Sequence, residues 1–122
     1  MVKMLIRGEQ TEAKSKAELD VIDPATEDVY ETVPAGGVDA IELAVQAAHD
    51  AFAEWSRTDA EKRAELIRDA LDLIEGHKDE IVETLTHEQG KPTMEAAGEL
   101  QHFVHGMHYY ADLATKVRGA YQ

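Results

Sequence analysis

The chain has 122 residues, with 25 acidic and 12 basic side chains, six histidines and no cysteine. That length predicts one domain, residues 1–122, with a modest core, and the missing thiol excludes disulfides, thiolate metal sites and a cysteine nucleophile. A net charge of −13 excludes nucleic acid and anionic lipid as partners, no apolar run approaches the ~20 residues of a membrane helix, and the opening lacks a secretory pattern, so the expected setting is the cytoplasm.

Residues 4 to 34 read as extended, within a strand and hairpin region spanning 1–37. Met4-Leu5-Ile6, ending at Gly8, predicts a first strand. Leu19 and Val21 alternate with Glu18 and Asp20, the period-2 pattern of a half-buried strand. Asp23-Pro24-Ala25-Thr26 marks a turn. Val29 and Val33 belong to a third strand, closed by Pro34-Ala35-Gly36-Gly37.

The period then changes to 3.6, and residues 38–122 read as helical. In a first helix from Asp39, Ile41, Ala44, Val45, Ala48, Phe52 and Trp55 share one face, which predicts core packing for them. Thr58 with Glu61 reads as a capping box for a second helix running to Ile74, with Ile67, Ala70, Leu71 and Ile74 inward and Gly76 as a break. A third stretch carries Ile81, Val82 and Leu85 and stops at Gly90-Lys91-Pro92, because Gly takes the left-handed cap and Pro cannot continue a helix. The last helix spans Met94 to Val117, with Thr93 as its cap and Gly119 as its end. Its inward stripe is Leu100, Phe103, Val104, Met107, Tyr110, Ala111, Ala114 and Val117, and one of Tyr109 and Tyr110 is expected to be buried. Strands followed by helices give an α+β class.

Leu, Ile, Val and Phe total 26 of 122 residues, just above the composition at which disorder sets in, so the periodic patterning carries the expectation of a fold. The acid excess is dispersed over amphipathic helices, not gathered in a tail. Such a surface suits high salt, where self-repulsion is screened, and predicts a halophilic protein.

Few residues point to chemistry. Gly36-Gly37 is a loop and not a dinucleotide fingerprint. Gly90-Lys91-Pro92-Thr93 fails as a phosphate loop, because Leu85 stands where the first Gly belongs and Pro92 separates Lys91 from Thr93. Neither Ser15 nor Ser56 sits on a nucleophile elbow. Glu99 and His102 have the Glu-x-x-His spacing of carboxylate-bridged metal sites, but there is no second copy. At ~100° per residue His102, His105 and His108 fan out along the helix, so they read as a solvated face. Glu88 and Lys91 read as solvated loop charges.

Taken together, the motifs resemble the N-terminal segment of the NAD(P)-dependent aldehyde dehydrogenases. They are IRGE (Ile6 to Glu9), VIDPAT (Val21 to Thr26), VPAG (Val33 to Gly36), AVQAAHDAFAEWS (Ala44 to Ser56), AEKRAELI (Ala60 to Ile67), EQGKP (Glu88 to Pro92), EAAGE (Glu95 to Glu99) and YYADLA (Tyr109 to Ala114). EQGKP and EAAGE are similar to the succinate-semialdehyde dehydrogenase branch. Three positions depart from the family pattern: Gln10 replaces an aromatic, and Glu27 and Lys16 replace turn glycines, which raises the cost of those turns because only Gly takes φ > 0 freely.

The resemblance implies a partial cofactor domain and NAD or NADP as the parent's cofactor. It places the cofactor loops, the oligomerisation hairpin, the Glu base, the Asn donor and the Cys nucleophile beyond Gln122. Thioester chemistry needs a thiolate, so the chain alone is expected to bind no nucleotide and to be inactive. The resemblance also implies a monovalent cation site, weak or empty in the isolated chain, at the Ile22 carbonyl and the Glu88 carboxylate, with a remaining protein ligand from the missing part. The expected partner is a second copy, in a dimer through apolar helix faces, or a full-length relative.

Overall fold

The computed structural model describes residues 2–116, so Val117, Gly119 and Gln122 lie outside the described residues. Among these, four strands precede four helices, the predicted α+β order: β1 (Met4–Ile6), β2 (Glu9–Thr11), β3 (Glu18–Ile22), β4 (Val29–Pro34), α1 (Val38–Trp55), α2 (Ala60–Gly76), α3 (Lys78–Gln89) and α4 (Thr93–Leu113). The strands make two antiparallel hairpins, β1 with β2 and β3 with β4. The contacts group the chain into two units, one running to Arg57 and including His87–Gln89, the other formed by Thr58–Thr86 and the residues from Gly90 on.

In the first unit, β2 was not anticipated: Glu9-Gln10-Thr11 is polar throughout and pairs with β1 in the register Met4–Thr11 and Ile6–Glu9. The hairpin turns through Arg7 (φ 59°) and Gly8 (φ 78°), two left-handed residues whose twist matches the strands. β3 and β4 pair from Glu18–Pro34 to Ile22–Val29, with a register shift between Val21 and Ile22. The half-buried pattern foreseen for β3 is only partly realised. Val21 is half-buried, but Leu19 is 59% exposed.

α1 begins at Val38 after an N-cap glycine, Gly37. None of its residues is buried, which corrects the expected core packing of Ile41, Val45, Phe52 and Trp55. Only Ala40 and Ala47 are half-buried. The physical reason is a lack of cover: in this unit β1 lies along α1, while the large apolar side chains project elsewhere.

The second unit holds an apolar core. Leu71, Val82, Ala96, Leu100 and Val104 form its centre, with Ile67, Ile74, Ile81, Leu85 and Met107 packed against it. Ala64 and Ala111 are also buried. The helical spacing found most of this cluster, but it missed Ala64 and Ala96. Ala70, Phe103 and Tyr110 are exposed instead of inward. Tyr109 and Tyr110 are 58% and 67% exposed and meet edge to face at 5.5 Å, so neither is the buried member foreseen.

Two helix starts are also corrected. α2 is capped by Asp59, one residue after Thr58, and α4 by Pro92 with Thr93 already helical; neither start carries a side-chain cap hydrogen bond. α3 ends as expected at Gly90, whose φ of 66° is left-handed.

Candidate functional site

Among the described residues Asp23, at the mouth of the β3–β4 turn, is a buried charged side chain. The turn closes through backbone bonds: Asp23 N–H donates to Asp28 O (2.9 Å) and Glu27 N–H to Asp23 O (2.8 Å). Asp23 is only 7% exposed. Its Oδ1 accepts from the Ala25 amide at 2.8 Å, the local bond that makes Asp a turn residue. Its Oδ2 lies 2.7 Å from Nδ1 of His87, in the last turn of α3. The His87 bond, and after it the Ala25 amide, hold the Asp23 carboxyl below the usual carboxylate range, against desolvation that pushes it up. Tyr30 of β4 covers the other side of the imidazole, stacked nearly parallel at a centroid distance of 4.6 Å. A buried acid satisfied on both oxygens fixes geometry, because leaving either partner out would strand it.

The two residues implied as cation ligands flank this pair. Ile22 ends β3 and Glu88 follows His87, and both side chains are exposed. A main-chain carbonyl and a carboxylate are the oxygen donors that suit a hard monovalent cation. Lys91 is not the solvated loop charge expected, because its ammonium pairs with the Glu99 carboxylate. That engagement also takes Glu99 from the Glu-x-x-His spacing. His102 and His105 are exposed and His108 half-buried. Among the described residues no three His, Asp or Glu side chains converge as a metal set.

Sequence reasoning missed His87 and Tyr30. Asp23 and His87 are 64 positions apart, and neither lies in a spacing that announces the other. The only available signal was Asp23 itself, read as a turn residue.

Two short hairpins, a helical core and this turn-to-helix tie define a scaffold with known counterparts. Residues 10–122 match the model of the aldehyde dehydrogenase family, and the chain belongs to that family. It is 33% identical over 115 residues to the NADP+ succinate-semialdehyde dehydrogenase of Escherichia coli, covering 94% of this chain and 24% of that protein. It is 34% identical over 118 residues to the malonate-semialdehyde dehydrogenase of Bacillus velezensis, covering 97% and 24%. The crystal structure of succinate-semialdehyde dehydrogenase from Burkholderia pseudomallei superposes with a TM-score of 0.92 at 35% identity, covering 98% of this chain and 25% of that one. A Staphylococcus aureus betaine aldehyde dehydrogenase in complex with NAD+ does so at 0.90 and 31%, covering 97% and 24%. The chain thus spans about a quarter of the length of the relatives it matches.

Proposed function

We propose that this chain is a segment of an NAD(P)-dependent aldehyde dehydrogenase, built like the beginning of the cofactor domain and unable to oxidise an aldehyde by itself. The observation that carries the reading is the family match joined to a quarter of the relatives' length, in a sequence without cysteine. Acyl transfer from an aldehyde through a thioester needs a thiolate, and this sequence supplies none. Within a family-length protein the segment serves the dehydrogenation of a semialdehyde, the substrate class that the relatives' names carry. NAD or NADP belongs to that protein and is not held by this chain alone.

Ile22 and Glu88 are the residues that would hold a monovalent cation, weakly, since two protein oxygens leave most of its shell to water. Their role would be to join the end of β3 to the end of α3. The exposed apolar residues support a second activity of binding type, association with another copy or with a full-length relative. A cytoplasmic setting fits these roles.

The test uses the purified chain with succinic semialdehyde and either nucleotide. The expected result is no reduced nicotinamide above the blank, and no saturable change in the fluorescence of the single Trp55 on titration with NAD+. Turnover overturns the reading. For the cation, sodium NMR line broadening that is lost in Glu88→Gln supports the site, and identical spectra for both proteins remove it.

A further inference from the structure

The Asp23–His87–Tyr30 cluster adjoins both candidate cation ligands without being one. Each carboxylate oxygen of Asp23 is engaged, Oδ1 by the Ala25 amide and Oδ2 by His87 Nδ1, and the residue is 7% exposed. A carboxylate so enclosed is satisfied by its protein partners and turns no oxygen to an ion from solvent. Its neighbours in the chain carry the oxygens on offer: Ile22 precedes Asp23, and Glu88 follows His87.

The Ile22 carbonyl is aimed by its own peptide bond. The unit joining Ile22 to Asp23 is trans, so its C=O and N–H point in opposite directions. That N–H is the Asp23 amide, which donates at 2.9 Å to the oxygen of Asp28, the residue before β4. The Ile22 carbonyl therefore points away from β4, toward the edge of β3 on which no further strand pairs among the described residues. The register shift between Val21 and Ile22 is the kind of irregularity that ends a ladder and re-aims its last residue.

Glu88 belongs to a distant part of the sequence. Asp23 and His87 are 64 positions apart, and their 2.7 Å bond spans that separation. Each donor residue is one step along the chain from this bond, about 3.8 Å between successive Cα atoms. Tyr30 restrains the imidazole further: the two rings lie 12° from parallel with centroids 4.6 Å apart. Tyr30 itself follows Val29, the strand partner of Ile22. One hydrogen bond and one stacked ring thus fix the position and the plane of the His87 side chain relative to the end of β3.

Donors held in place before an ion arrives lose less freedom on closing around it, and outer-shell hydrogen bonds orient the ligands of metal sites. We propose that Asp23 and His87 are a positioning pair for a monovalent cation: their bond, with Tyr30 stacked on the imidazole, sets the Ile22 carbonyl and the Glu88 carboxylate together at the end of β3. This rests on the cation reading above and names the residues that set its geometry.

Sodium binding to the full chain, followed by sodium NMR line broadening while choline keeps the ionic strength constant, tests it. His87→Leu removes the donor to Asp23 and is expected to weaken sodium binding about tenfold, the low end for an outer-shell partner. His87→Asn restores an N–H at the reach of Nδ1 and is expected to recover most of that loss. Tyr30→Leu, at a position already 41% exposed, removes the stack alone; it is expected to weaken binding to a lesser degree, and it decides the matter if His87→Leu does not fold. The thermal midpoint separates positioning from support. The original chain is expected to gain more from sodium than from choline, and His87→Leu to lose that difference, whereas a merely structural bond lowers both midpoints equally and keeps it. No broadening with the original chain overturns this proposal and the cation reading together. Broadening that is lost in Glu88→Gln but unchanged in His87→Leu and Tyr30→Leu overturns the positioning pair alone. Binding by His87→Asn no tighter than by His87→Leu overturns the hydrogen bond as its cause.

Discussion

Two turns show how a single side chain sets a local cost. Lys16 and Glu27 hold φ of 51° and 62°, the left-handed region that costs an L-residue about 1–2 kcal/mol. Neither turn has a glycine at that position to make the conformation cheap. Glycine gives back about 0.5–1 kcal/mol in unfolded-state entropy. Glu27→Gly is therefore expected to stabilise by a net of about 0.5–1 kcal/mol, read as a rise of a few degrees in thermal midpoint. Arg7 has the same backbone strain at φ 59° but donates to Asp50 at 2.6 Å, so Arg7→Gly is expected to gain less than Glu27→Gly. A lower midpoint for Glu27→Gly refutes the strain account. Asp23 makes the complementary case, because its cost appears only when a partner leaves. Asp23→Ala is expected to lower the midpoint more than Asp23→Asn, since an amide oxygen still accepts from Ala25. Equal losses would mean that the turn bond contributes nothing.

At the scale of elements, α2 and α4 carry the stability of the second unit. Leu71 is 2% exposed at the centre of its cluster, so Leu71→Ala is expected to cost about 2–5 kcal/mol in chemical denaturation. Leu73, 67% exposed on the same helix, is expected to cost within about 0.5 kcal/mol when cut to Ala. The two helices are also joined by Arg68 Nη2, which donates to Asp112 Oδ1 at 2.6 Å. That bond, against some desolvation, keeps the Asp112 carboxyl below its ordinary value. A carboxyl lowered in the folded state contributes stability above its unfolded pKa, about 3.9, and loses it as pH falls through the folded value. Arg68→Gln should accordingly melt close to wild type at neutral pH, because the pair is exposed and weak, and should show a shallower loss of midpoint below about pH 4. An unchanged acid limb would remove Asp112 from the account.

The order and type of these elements were legible in the sequence, because the change of period near residue 38 is a local signal. β2 was not legible: three polar residues have no pattern, and only their pairing with β1 makes them a strand. The helix starts slipped by one residue because no side-chain cap hydrogen bond marks either of them. The exposure of α1 was illegible for a deeper reason. Spacing tells which residues share a face, and only the presence of a covering layer makes that face a core. The Asp23–His87–Tyr30 cluster was hidden by sequence distance.

For the whole molecule the governing quantity is charge. The sequence holds 25 acids against 12 bases, and ion pairs such as Lys3–Glu12, Lys14–Asp39 and Lys62–Glu65 lie at the surface, where each contributes little. The acids in excess of the bases have no side-chain cation to neutralise them, so the folded chain repels itself at low ionic strength. Adding salt screens both kinds of interaction, but the repulsive ones outnumber the attractive ones, and salt also strengthens apolar burial. The thermal midpoint is therefore expected to rise by several degrees between about 0.1 M and about 1 M KCl. Association would raise it too, by mass action, and would make it depend on protein concentration, so the decisive measurement is the same series at two protein concentrations. A rise that is the same at both concentrations assigns the effect to self-repulsion within one chain; a rise that grows with concentration assigns it to association; a flat or falling midpoint at both defeats the view that this acidic surface is built for salt.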